Sequence, residues 1–561
     1  MVRGTTVRWR PGTWAVHPAR PSVRRMPDTV VSLFDAHVSA QPDAVALSSG
    51  DGSVRWTRRE YAAKAARLAS AFSALGVRPG DTVALLIGNR PQWQLSDLAA
   101  LLVGATPFSL YTTAPPAESA ELAVRARVRL VVADPGLVHD DHIPAGVPVV
   151  TVDELDRLPT DSSFTIHEPG PDDVATLIFT SGTTGRPKGV ELTHAAIVFQ
   201  LRALDSIVRL DGGATVSYLP HAHIVDRVVG HYAGLVGGTS VTTVADPATL
   251  FDVLQRVRPR LFTSVPRIWQ RVERLMRAML RDGATHRQLA SRFGLDGAHW
   301  LVTGSAPLPA STHEFFDSVG LPLHDLWGLS ETTAVATWTG PGDAFRDRAG
   351  TVGRPLPGTA VRLADDGEIL VRGPHLARGY LDDPQATAAS FVDGWFHTGD
   401  LGEWRGELLA VTGRKKDLII TAGGENISPS RVEDVVAESP LVDQVLVVGD
   451  GRPFLVALVV PDFAELAHHG LHGLPEEVVA DPRTRALLDA VLDTANQKLA
   501  KAEQVRAHAV LAQPWTSDSG ELTPTQKLRR RTVEESNRAL VDRLYAATRS
   551  RDRHADSTPT G

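Results

Sequence analysis

Between residue 27 and about residue 410, short apolar runs alternate with segments whose hydrophobic positions recur every three or four residues. Thr82-Val83-Ala84-Leu85-Leu86-Ile87 reads as a strand and residues 91–103 as the helix after it; residues 130–133, 148–151 and 215–219 are further strand candidates. This alternation predicts an α/β fold of parallel-rich sheets covered by helices, with ligands gathering at the carboxyl ends of strands. The segment Gly413-Arg414-Lys415-Lys416-Asp417 is a charged break between two strand-like runs. Beyond it the pattern becomes a smaller α+β unit of about 130 residues, within the usual size of a domain. That unit has strands at 444–448 and 454–460, a Gly449-Asp450-Gly451 hairpin turn between them, and helical periodicity over 484–500. The expected organisation is a large domain over 27–412, a break at 413–417 and a smaller C-terminal domain over 418–548.

Composition narrows the function classes. A chain of 561 residues exceeds one ordinary domain, and 43% hydrophobic with 22% charged residues is the balance of a soluble globular protein. The formal net charge of −7 gives no support for nucleic-acid binding. Absence of cysteine excludes disulfides, thiolate metal sites and a catalytic thiol. No apolar run approaches ~20 residues, so a cytoplasmic protein with at most peripheral membrane contact is expected, its oligomeric state open. Residues 1–26 carry six arginines, three prolines and no acid. They read as a disordered basic extension, or as residues upstream of a true start at Met26; the polar stretch 549–561 is likewise expected to lack structure.

The chemistry concentrates in Phe179-Thr180-Ser181-Gly182-Thr183-Thr184-Gly185-Arg186-Pro187-Lys188-Gly189. An apolar β-prone run, 174–178, precedes this loop, and 190–194 follows it as the expected cap of a helix. Three glycines let backbone N–H groups turn inward, hydroxyls add donors, and Lys188 adds a cation; such a loop holds a polyphosphate. It departs from the common nucleotide loop, in which Gly and Lys adjoin, because Pro187 precedes Lys188.

The string Thr180-Ser181-Gly182-Thr183-Thr184-Gly185 with Pro187-Lys188-Gly189 resembles the signature of the adenylate-forming (AMP-binding) superfamily, which includes acyl-CoA synthetases, luciferases and peptide-synthetase adenylation domains. Two segments, 219–227 with His223, and 264–272 around Arg267, resemble its long-chain fatty acid–CoA ligase branch, although His221 stands where relatives usually carry an apolar residue and is assigned no role. The resemblance covers residues 28–545 and implies a mobile small domain with Lys416 at the hinge. It implies that Gly304, Ser305, Ala306 and Pro307 frame adenine and that Trp327, beside Gly328, stacks on the purine. Glu331, next to Thr332, would hold magnesium with help from Thr180. Asp400 would accept hydrogen bonds from both ribose hydroxyls, and Arg414 would add a ribose or phosphate contact. His223 would line the acyl site, Gly423 and Gly424 would flank the path of coenzyme A, and Lys527 would bridge the substrate carboxylate and the α-phosphate.

What the resemblance implies is activation of a medium- or long-chain fatty acid by ATP and magnesium, then transfer to coenzyme A. The alternatives are a fatty acyl-AMP ligase serving a carrier protein, another carboxylic acid–CoA ligase, and a non-catalytic nucleotide-binding protein on the same fold.

Overall fold

A computed structural model describes residues 28–556, except 139–142, 181–186, 211, 341, 517–518 and 524–526; no side chain is described beyond residue 548. Ser181, Gly182, Thr183, Thr184 and Gly185 of the glycine loop, and the basic N-terminal stretch, lie outside the described residues.

The large domain is built on four sheets. A seven-stranded sheet runs, edge to edge, through Gly379–Tyr380, Lys188–Thr193, Val174–Thr180, Thr106–Ser109, Thr82–Leu86, Val128–Ala133 and Val149–Thr151. Its last five strands are parallel, as the βα alternation predicts. A four-stranded sheet holds Val45–Ser49 and Ala214–Ser217, and a five-stranded sheet holds Leu261–Ser264, Trp300–Gly304 and Leu323–Trp327 in parallel. In that last sheet alternation sorts the side chains. Phe262, Leu301 and Leu323 share one core with Trp269 of the helix Pro266–Arg281, while Thr263, Val302 and His324 line a cleft elsewhere.

Two expectations need correction. The stretch 190–194 is not a helix cap throughout: only Thr193 caps one. The segment Lys188–Thr193 is a strand, antiparallel to Val174–Thr180 with Ile178 opposite Val190 and Thr180 opposite Lys188. Helix His194–Val208 starts only afterwards, with the Thr193 hydroxyl accepting from the Ala196 N–H at 3.2 Å. The glycine loop therefore joins two strands of a hairpin, and no helix dipole stands at its end. The second correction concerns residues 360–414, where the βα alternation stops. This stretch is mostly an antiparallel sheet: short turns join Ala360–Leu363 to Glu368–Arg372 and Trp395–Arg405 to Leu408–Arg414, while Glu368–Arg372 and Trp395–Arg405 pair antiparallel across a longer link that holds helix Pro384–Ser390.

The small domain has the expected hairpin, Val442–Val448 against Leu455–Pro461, with Val505–Val510 added in parallel and helix Pro482–Gln497 packed behind. The last helix, Arg538–Asp556, runs into the stretch expected to be structureless. The small domain docks on helix Pro266–Arg281 of the large one, where Arg274 reaches Asp462 at 3.3 Å. At the junction Gly413 takes φ +156, and a Cβ there would meet the Ser428 hydroxyl at 2.2 Å. That hydroxyl donates to the Thr412 carbonyl at 2.5 Å, so glycine allows the two domains to touch.

A buried ion cluster ties the helix Pro91–Leu102 to the segment after His223. Arg227 is fully buried; it donates to Asp97 at 2.5 Å, to Ser109 at 3.2 Å and to the Pro107 carbonyl at 3.2 Å. His231, in a π-helical turn Val228–Tyr232, adds a second contact to Asp97 at 2.9 Å. Burial alone would raise the Asp97 carboxyl, but Arg227 and then His231 outweigh it and hold it below its ordinary value. Removing one partner strands the other charge in the core. Arg227→Leu is expected to destabilise the large domain by about 3–5 kcal/mol in denaturant titrations, and adding Asp97→Leu should recover much of that loss. Equal stability of Arg227→Leu and the parent chain would show that the cluster is not a structural tie.

Candidate active site

The centre of the site is set by strand register. In the hairpin of Trp395–Arg405 and Leu408–Arg414, Asp400 lies opposite Arg414. Arg414 Nε meets Asp400 Oδ1 at 2.9 Å, and the Trp327 indole N–H donates to Oδ2 at 3.1 Å. Asp400 is 4% exposed. Burial raises its pKa, opposed first by Arg414 and then by the Trp327 hydrogen bond. Trp327, expected against a purine, thus has its indole edge fixed by the same carboxylate expected at the ribose.

Glu331 sits on a turn that its neighbours lock. The Thr332 hydroxyl accepts from the Leu329 N–H at 2.8 Å, and the Thr333 hydroxyl donates to the His375 carbonyl at 2.6 Å. A Cβ on Gly328 would lie 2.3 Å from the Ala334 carbonyl oxygen, so only glycine lets the turn close there. The Glu331 carboxylate is 8% exposed and accepts from the Tyr380 hydroxyl at 2.9 Å. Burial raises its pKa; the Tyr380 hydrogen bond, Arg414 and Lys188 act in the opposite direction.

Tyr380 is the site residue that sequence reasoning missed. Its ring carries the Lys188 ammonium at 4.5 Å from the centroid, while its hydroxyl holds Glu331. One side chain therefore spaces the cation of the glycine hairpin from the buried carboxylate. It arrives through the two-residue strand Gly379–Tyr380, which pairs with the edge strand Lys188–Thr193. No glycine-rich or charged cluster around residues 376–380 marks it.

The small domain contributes Lys527, whose backbone N–H donates to the Thr523 hydroxyl at 3.0 Å. Part of its side chain remains open to solvent, yet its pKa is lowered, first by burial and then by Arg414, against the pull of Asp400 and Glu331. The same ammonium acts on His223 of the large domain. The half-buried imidazole caps the turn Ile224–Arg227, accepting from the Val225 N–H at 3.4 Å. Its pKa is lowered to about 3, by burial foremost and by Lys527 next, so it is neutral at pH 7. His221 is turned away: its Nδ1 lies 2.8 Å from Asp226, and its ring packs on Trp93.

The structure thus brings Lys188, Glu331, Asp400, Arg414, Lys527 and His223 into one electrostatic neighbourhood. Thr180 ends its strand opposite Lys188. In the five-stranded sheet Gly304 ends the strand Trp300–Gly304, with the Leu326 carbonyl 2.9 Å from where its Cβ would stand, and Ser305 follows in the left-handed region at φ +72. Ala306 and Pro307 are exposed. Gly423 and Gly424 form an exposed turn on the small domain, outside this cluster. Lys416 lies in the single turn Lys415–Asp417, beside Lys415, which meets Asp366 at 2.5 Å and Glu368 at 3.2 Å. One residue before Trp327, Leu326 lines a narrow apolar cleft between helix His194–Val208 and the strands that carry Val302 and Leu326; its free volume is about 30 Å³.

The Tyr380 hydrogen bond favours the ionised form of Glu331 against burial, so its removal has a signed consequence. In Tyr380→Phe a contribution that lowers the Glu331 pKa is lost, the carboxyl stays protonated to higher pH, and the acidic limb of the activity profile should move upward. A rate profile for pyrophosphate release, measured across that limb, checks this. An unmoved limb would sever Tyr380 from the ionisation of Glu331.

Comparison with known proteins follows the same division of the chain. Residues 34–381 match the family model described as AMP-binding enzyme, and residues 416–549 match the AMP-binding enzyme C-terminal domain. The long-chain-fatty-acid–CoA ligase FadD15 of Mycobacterium bovis is 32% identical over 92% of this chain and 97% of its own. Fatty acyl-CoA synthetase A of Dictyostelium discoideum is 29% identical over 88% of this chain and 86% of its own. Among solved structures, the o-succinylbenzoate CoA synthetase of Bacillus subtilis in complex with its acyl-adenylate intermediate superposes with a TM-score of 0.76 at 24% identity, covering 91% of this chain and 98% of that one.

Proposed function

The chain belongs to the AMP-binding enzymes, and from that premise we propose that it is a long-chain fatty acid–CoA ligase working in two steps. What carries the reading is the meeting of Lys527 from the small domain with Asp400, Arg414, Glu331 and His223 of the large one. A carboxylate is a poor acyl donor because oxide does not leave. In the first step a carboxylate oxygen attacks the α-phosphorus of ATP, the bond to the β-phosphate oxygen breaks, and pyrophosphate departs. The product is a mixed anhydride of the acid with AMP. In the second step the thiol of coenzyme A attacks the acyl carbon, AMP leaves with the bonding pair, and the thiol proton passes to solvent.

The first step crowds anions, so it needs placed positive charge more than a proton carrier. Lys188 and Arg414 supply it from the large domain and Lys527 from the small one. Lys527 lies between the acyl side, marked by neutral His223, and the nucleotide side, marked by Asp400. Asp400 orients the ribose, and Trp327, held by it, offers its ring to the purine. Gly304, Ser305, Ala306 and Pro307 border the same side, with Gly328 and Thr332 shaping the turn that presents Glu331. The residues fit a magnesium ion that comes with the nucleotide. Glu331 is one buried carboxylate beside the Thr180 strand end, and among the described residues no cluster of three metal-ligating side chains forms a cage of its own. A hard cation that shares its ligands with phosphate asks for such a site, and when bound it neutralises phosphate charge. Glu331 and Thr180 would hold it.

The thioester step calls for a different small-domain arrangement, with Lys416 as pivot and the Gly423-Gly424 turn brought toward the acyl-adenylate. Among the described residues no helix is long and apolar enough to cross a membrane. Peripheral contact with a bilayer, where long-chain acids partition, belongs to the same proposal.

The test is pyrophosphate release over acids of graded length, with each half-reaction followed separately. Dodecanoate to octadecanoate should outcompete acetate and benzoate in kcat/KM, since each buried methylene adds ~0.8 kcal/mol. Lys527→Ala should lose acyl-AMP formation by a factor of about 100 or more, comparable to loss of one placed charge donor, yet still convert supplied acyl-AMP to acyl-CoA. Lys416→Pro should do the reverse, because proline restricts the backbone rotation a pivot needs. Loss of both half-reactions together in each folded variant would refute the two-arrangement mechanism.

A further inference from the structure

The apolar cleft that Leu326 lines contains a feature that a plain hydrocarbon chain does not need. Its floor is one row across the parallel sheet, with Thr263 opposite Val302 and Val302 opposite His324, all three lining the cleft. The two polar members of this row are both unsatisfied: the Thr263 hydroxyl and His324 Nδ1 are buried without a hydrogen-bond partner. His324 is 4% exposed, with its ring 4.9 Å from that of Trp300. Trp300 and Trp338, 5.7 Å apart, stand beside it in the same lining.

The imidazole is neutral, because burial first and Arg348 next bring its pKa down to about 4. A hydrogen bond to the backbone of Thr339 acts the other way, favouring the protonated ring. A bond of that sign has the ring N–H donating to a carbonyl. A neutral imidazole has a single N–H, so Nδ1 presents a bare lone pair. As core filler against Trp300, leucine or phenylalanine would pack there with no polar atom to leave unpaired, whereas buried polar atoms are ordinarily paired. Among the described residues no donor lies within hydrogen-bond distance of that lone pair.

We infer that this cleft takes an acyl chain bearing a hydroxyl group along its length, the hydroxyl donating to His324 Nδ1. The inference rests on the fatty-acid reading above and refines its substrate class. A hydroxyl entering an apolar cleft is disfavoured unless it finds a partner, so one matched acceptor selects both for the group and for its position on the chain. The narrowness of the cleft adds to this. Leu201 and Leu204 on the facing helix must part for a chain to enter, and a polar contact at the floor fixes how far it goes.

The experiment compares kcat/KM for pyrophosphate release with octadecanoate and with monohydroxyoctadecanoates that differ in hydroxyl position. The unmodified chain is expected to prefer one positional isomer over octadecanoate by roughly tenfold, the worth of one buried hydrogen bond. In His324→Leu that preference should vanish or invert, with octadecanoate unchanged or improved, while His324→Gln, which keeps an acceptor, should retain part of it. Octadecanoate outcompeting every isomer in the unmodified chain overturns the inference, and this comparison decides even if His324→Leu fails to fold. Equal losses for both acids in a folded His324→Leu also overturn it, since packing alone would do that. Release of pyrophosphate with no fatty acid of any kind would overturn the ligase reading itself.

Discussion

Asp400 and Arg414 face each other because two antiparallel strands share a register, and the rest of the site hangs from that pair. The strand that ends in Arg414 is also the last element of the large domain, so the same residue that faces the buried carboxylate begins the passage to the small domain. Gly413 and Ser428 bring the two domains into contact one residue earlier in the chain. A slip of one residue would turn Asp400 to the other face and carry the pivot with it. On the proposed function, positioning the nucleotide and aiming the small domain are thus one structural problem with one solution.

Electrostatically the site holds charged groups of both signs against burial. Lys527 is held where burial and Arg414 disfavour its charge, while Glu331 and Asp400 carry carboxyls that burial pushes toward protonation. Tyr380 mediates by giving Lys188 an aromatic face and Glu331 a donor. The Asp97–Arg227–His231 cluster differs: there buried charges of opposite sign meet directly, which anchors the chain just after His223.

Much of this was legible in the residues alone. Strands at 82–87, 130–133 and 444–448, the domain break near 413, and the loops around Gly304 and Trp327 all announce themselves by apolar runs punctuated with glycine and charge. The segment after the glycine loop did not. Val190-Glu191-Leu192-Thr193 alternates over too few residues to separate a strand from a helix start, and only its partner, Val174–Thr180, decides. Tyr380, Asp97 and Arg227 were invisible for a different reason. Each acts through a partner 49 to 130 positions away in sequence, and no local pattern encodes such a pairing. The lone pair of His324 likewise exists only once three strands lie side by side.

Placing the glycine loop on a hairpin rather than before a helix has a consequence for timing. A helix end would supply a permanent, built-in attraction for phosphate, present in every state of the enzyme. The strands that flank the loop bring no helix end with them, so part of the attraction must come from side chains, and on the proposed mechanism Lys527 belongs to the domain that moves. On the proposed reaction, the triphosphate is then the charge that draws the small domain shut, and departing pyrophosphate carries most of that charge away. The latch is released by the leaving group of the first step, which gives the two half-reactions an order without any separate clock.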